Sequence, residues 1–156
     1  MFWKKKQDKK QLNEKKTYPT RPISIHELRQ AVQQYANTLQ QGVPLSVIIN
    51  DDLTIDYHLL APYLKAIPEE TYYMSKETYE IFEEKDKELA EHIDKIQRAV
   101  DQYKKQKGEL PIIEGDPYKK VSYYKLESLN LISQRPDKTF YITKEEDLIT
   151  YNQPTK

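Results

Sequence analysis

The chain has 156 residues, with three glycines, no cysteine, and 25 basic against 25 acidic side chains. That length supports one domain with a real core. The glycine count, against an average of about 7%, leaves nothing from which to write a phosphate-cradling loop, a dinucleotide fingerprint or a nucleophile elbow, and without cysteine there is no thiolate nucleophile, zinc knuckle or disulfide.

Residues 1–17, MFWKKKQDKKQLNEKKT, are lysine-rich and lack sustained periodicity, and are read as a disordered basic tail. A single domain is expected over 18–151, with residues 152–156 frayed. Tyr18-Pro19-Thr20-Arg21-Pro22 should be extended, because each residue before a proline is pushed away from helix. A first helix, about 25–41, is predicted by Ile25, Leu28, Val32, Tyr35 and Leu39, which form one apolar stripe. Ser24 and Glu27 supply a capping box, Ile23 and Leu28 a hydrophobic staple, and Gly42 the end. The run Pro44-Leu-Ser-Val-Ile-Ile49 predicts a strand, Asn50-Asp51-Asp52 a turn, and Leu53-Thr-Ile-Asp56 a returning strand. A short helix containing Pro62 is expected over 57–66, then a brief strand at 71–74.

Ser75 is read as the cap of a helical stretch reaching Lys107, with Gly108 closing it. Its stripe runs through Tyr79, Phe82, Leu89, Ile93, Ile96, Val100 and Tyr103, with a break or kink near 84–87, so that one helix or two fit residues 76–107. The pairs Glu91/Lys95, Asp94/Arg98 and Asp101/Lys105 each place an acid four residues before a base, worth about 0.2–0.5 kcal/mol apiece on a helix surface. A turn is expected at 114–117, with Asp116 as cap and Pro117 in a first helical position. A short helix is expected at 122–131, and a hairpin from the β-rich runs 139–143 and 148–151. The thirteen tyrosines predict large buried area whose hydroxyls must find partners.

The zero net charge hides an asymmetry: residues 1–21 carry eight bases and two acids, whereas residues 50–94 carry thirteen acids and four bases. The basic tail, with Phe2 and Trp3 before Lys4, Lys5, Lys6, Lys9 and Lys10, has the composition for weak, salt-sensitive contact with an anionic membrane surface or an acidic partner. Its other readings are a plain solubilising tail, docking on the acidic middle of the same chain, or phosphate binding. Asp51, Asp52 and Asp56 are the nearest approach to a metal constellation, with His58 close by. They lack the alternation, glycine and closing glutamate of a calcium loop, and a solvated turn explains them. Glu88 and His92 share a helix face without the partner motif of a di-metal bundle site. Serines 24, 75 and 122 stand where caps belong. No catalytic residue, metal or cofactor is assigned.

Helix 122–131 followed by a hairpin invites a winged-helix reading, but the basic residues nearby are few and the body beyond the tail is acidic, which disfavours nucleic acid. The stripe from Leu89 to Tyr103 covers barely two heptads, short of a coiled coil; packing within the same domain is preferred, and a monomer or weak dimer is expected. No run reaches the ~20 apolar residues of a membrane span, and the basic start lacks the apolar core of a secretory signal. The expected location is therefore the cytoplasm, with the inner face of the membrane as an alternative.

Three segments, GVPLSVIINDDLTIDYHLLAPYL (42–64), YYMSKETYEIFEE (72–84) and RAVDQYKKQKGELPIIEGDP (98–117), together resemble a small bacterial family known only as a domain of unknown function. The resemblance covers nearly everything beyond the tail and implies no activity, cofactor or catalytic residue. The fold expected is α+β, with two longer helices, about 25–41 and 87–107, packed on a small, mostly antiparallel sheet drawn from 45–56, 71–74 and 139–151. The function expected is a non-catalytic interaction module with an unknown protein partner. Its alternatives are a small metal-dependent hydrolase around Asp51, Asp52 and Asp56, and a winged-helix nucleic-acid binder.

Overall fold

Residues 17–154 are described in a computed structural model of the chain. They form an α+β arrangement in two compact units, one up to Tyr72 and one from Tyr73. The strands, in chain order β1 (Thr20–Arg21), β2 (Ile67–Pro68), β3 (Tyr72–Met74), β4 (Ile81–Glu83), β5 (Tyr141–Ile142) and β6 (Ile149–Thr150), make three two-stranded pairs among the described residues. β1 pairs with β2 in parallel, and β5 with β6 antiparallel.

In the first unit, helix α1 (Ile25–Ala36) starts at Ser24, whose hydroxyl accepts the Glu27 N–H. Only half of the expected capping box forms. The Glu27 carboxylate instead takes the Arg21 guanidinium, at 2.5 and 3.3 Å, and Arg21 also donates to the Leu64 carbonyl. This pairing holds the Glu27 carboxyl below its ordinary range. Ile23 and Leu28, the staple, are both fully buried. The helix ends at Ala36 with Asn37 as cap, one turn and more before Gly42, because Thr38 turns back to bond the Tyr35 carbonyl through both its amide and its hydroxyl.

The predicted strand at 44–49 is a 3-10 helix, Leu45–Ile48, and only the bridge Ile49–Ile55 survives of the β-pair. The turn between them is as read, with the Leu53 N–H on the Asn50 carbonyl. Helix α2 (Tyr57–Leu64) carries Pro62 inside it and packs on α1, burying Leu28, Val32, Leu60, Ala61 and Leu64. Each large aliphatic side chain so buried contributes about 1.5–3 kcal/mol. Two tyrosine hydroxyls are partnered here: Tyr72 donates to the Ile23 carbonyl, while Tyr57 donates to the Glu70 carbonyl and accepts the Tyr72 N–H.

In the second unit, the longer helix expected at about 87–107 begins at Lys87, while Ser75 caps no helix. β3 and β4 pair across residues 75–80, a 3-10 turn (Glu84–Asp86) follows, and α3 (Lys87–Lys107) then runs to Gly108. The break near 84–87 is where the charged run Glu83-Glu-Lys-Asp86 offered nothing to bury. α3 buries Ala90, Ile93, Ile96, Val100 and Tyr103. Helix α4 (Tyr123–Ser128) is capped by Ser122, whose hydroxyl accepts the Lys125 N–H. Asp116 forms a side-chain turn with the Tyr118 N–H rather than capping a helix. The hairpin β5–β6 is tied to α3 by Gln97, a buried amide that accepts the Ile149 N–H at 2.8 Å and donates to the Asp147 carbonyl.

Candidate functional site

The carboxylates singled out in the sequence are engaged in local structure. Asp56 is the N-cap of α2, accepting the His58 N–H at 3.1 Å, and Asp52 accepts the amide and hydroxyl of Thr54 at 3.0 and 2.5 Å. Asp51 and Asp52 lie exposed on the turn, and His58 is exposed as well, not at the core edge. Among the described residues no three His, Cys, Asp or Glu side chains converge as a metal-holding group. Phe2, Trp3, Lys4, Lys5, Lys6, Lys9 and Lys10 lie outside the described residues.

The arrangement that does bring chemistry together is in the second unit, along α3 and the segment 131–136 that follows α4. The expected pair Asp94/Arg98 is absent because Asp94 is buried. Its carboxylate accepts the Ser75 hydroxyl at 2.5 Å and the amides of Lys76 and Glu77 at 3.1 and 3.3 Å. Ser75, fully buried, also accepts the Thr78 N–H and so closes the 75–80 turn instead of capping a helix. Burial pushes the nearby Glu77 carboxyl above its usual range; the Asp94 charge adds to this and Arg98 works against it. With Asp94 occupied, neither Lys95 nor Arg98 has a carboxylate in ion-pair contact among the described residues.

These two cations border a cleft of about 340 Å³ between α3 and 131–136. Its floor is aliphatic, with Ile96 and Ala99 buried and Leu131, Ile132 and Pro136 half-buried. Lys95, Arg98 and Arg135 supply its charge, His92 lines it as well, and no carboxylate does. His92 lies 3.5 Å from Glu88. Arg135 is held by Glu127, whose Oε1 accepts from both Nε and Nη2 at 3.0 and 2.5 Å, and the pairing holds the Glu127 carboxyl below its ordinary range. The far face of the guanidinium keeps its remaining donors, a geometry suited to a planar oxyanion. A hollow in the first unit, lined by Glu27, Gln30, Gln33, Gln34 and Tyr63, has no comparable convergence of charge, since its one carboxylate is taken by Arg21.

The sequence held one signal for this cleft. Asp94 falls on the apolar stripe between Ile93 and Ile96, and a carboxylate there needs donors from elsewhere in the fold. Once it is spent on those donors, Arg98 is left without its helical partner. The loop half of the cleft had no such signal.

No helix among the described residues is long and apolar enough to cross a membrane. No curated protein and no solved structure shows significant similarity to the chain. A family model described as a protein of unknown function (DUF3939) matches residues 18–151, and with most of its length covered the chain belongs to that family.

Proposed function

We propose that the protein is a non-catalytic interaction module that holds an anionic partner in the cleft between α3 and 131–136. The observation that carries this reading is the convergence of Lys95, Arg98 and Arg135 on one concave, partly aliphatic surface with no lining carboxylate. A cleft of this size lies within the range of small-ligand sites. The cysteine-free sequence supports the cytoplasm as the place where this partner is met.

Calorimetry with a hexaglutamate peptide tests the reading. The wild-type chain is expected to bind it, and the Lys95→Glu/Arg98→Glu variant to lose at least about tenfold in affinity, since two charge-assisted contacts are replaced by repulsion. Both side chains are exposed, so the variant should fold, which far-ultraviolet circular dichroism checks. Equal affinity in the two proteins would overturn the assignment.

A further inference from the structure

We infer that the occupant of this cleft is an extended acidic peptide segment of a partner protein, with aliphatic residues between its carboxylates. The inference rests on the anion-binding reading above and adds the chemistry of the ligand.

Four observations carry it. The cations stand on both walls, Lys95 and Arg98 on α3 and Arg135 on 131–136, so a chain that carries more than one carboxylate can engage the whole set. The floor between them is aliphatic, which rewards apolar groups placed between the charges. The far wall is a bent, non-helical segment with unused backbone: Leu131 donates to the Leu126 carbonyl, but Ile132, Ser133 and Gln134 make no hydrogen bond among the described residues. A peptide brings its own amides and carbonyls to such a segment, whereas a small anion leaves most of them to water.

The fourth observation concerns the competing ligands. Phosphate sites are commonly built on helix N-termini or glycine-rich nests. The α3 wall of this cleft is drawn from residues 92–102, beyond the first turn of a helix that starts at Lys87, and no glycine lines it. Nucleic-acid bases call for aromatic platforms, and no Phe, Tyr or Trp lines the cleft. Alternating charge and aliphatic side chain on an extended segment matches what is present.

The test is fluorescence anisotropy on the full chain with three labelled hexapeptide pools: glutamate alternating with Leu, Ile or Val; glutamine in place of glutamate; and serine in place of the aliphatic residues. Inorganic phosphate serves as competitor. The first pool is expected to bind, and each replacement to weaken binding about tenfold, the worth of one lost charged contact or one lost buried side chain. Arg98→Glu should remove the preference for glutamate over glutamine while leaving the far-ultraviolet spectrum unchanged. If the serine pool or phosphate binds as tightly as the aliphatic pool, with sensitivity to Arg98→Glu, the anion cleft stands and the peptide inference falls. If no probe responds to Arg98→Glu, both fall.

Discussion

Asp94 occupies a position that a surface-pair reading of the helix assigns to solvent, and its burial reorganises its neighbours. The carboxyl group is enclosed, so its burial must be met by hydrogen-bond donors, and the Ser75 hydroxyl with two backbone amides supplies them. Removing it leaves those donors unpaired inside the fold. Asp94→Ala is therefore expected to lower the unfolding free energy by about 2–3 kcal/mol, the cost of stranded buried polar groups. Urea denaturation measures this, and a loss within the ±0.5 kcal/mol of an ordinary surface substitution would mean that the turn 75–80 does not depend on the clamp. The tyrosines follow the same logic more visibly from sequence. Tyr57, Tyr72, Tyr123 and Tyr151 each place the hydroxyl on an acceptor, and burial pushes the Tyr123 phenol up to about 12.

Among the elements, those with local signals were legible and those set by long-range contacts were not. Ser24 and Ser122 mark helix starts, their hydroxyls serving amides three residues on just ahead of an apolar helical stripe, and the hairpin 139–151 follows from two β-rich runs around a charged turn. Ser75 carries the same residue type with a different outcome. Its amide bonds the Glu80 carbonyl and its hydroxyl bonds a carboxylate nineteen residues away, which no local window contains. The run 44–49 has strand composition, yet Pro44 precedes a 3-10 turn and one bridge is all that remains.

Helix ends show the same contrast. Gly108 closes α3 at a φ of 71°, a left-handed conformation that glycine adopts without penalty. Lys65 closes α2 at a φ of 56° with a side chain that pays a steric penalty there. Lys65→Gly keeps the amide bond to the Ala61 carbonyl and removes that penalty, offset by the greater freedom of unfolded glycine. A net gain of about 0.5–1 kcal/mol is expected, seen by calorimetry as a rise in Tm of about 1–4 °C. A fall in Tm would show that the lysine stem contributes packing that outweighs its backbone cost.

Across the whole molecule, the sequence told more about class than about action. The α+β composition was legible because both periodicities are present, and the poverty of glycine and cysteine ruled out whole families of chemistry before any element was placed. The candidate site was only half legible. Its helical wall is a periodic face of α3, but the charge left uncommitted there depends on Asp94 turning inward, and its other wall is a loop without periodic signal. The sequence directed attention to the basic segment 1–17 and the acidic stretch 50–94, whereas the cleft's cations come from residues 92–136.

Those two possible origins of anion binding, cleft or basic tail, are separated by one measurement. Backbone amide chemical shifts of the full chain are followed during titration with hexaglutamate at moderate salt. The account predicts that the largest changes fall on residues 92–102 and 131–136, saturate together, and give one dissociation constant. Changes confined to residues 1–16, with those two segments unmoved at saturation, would contradict it.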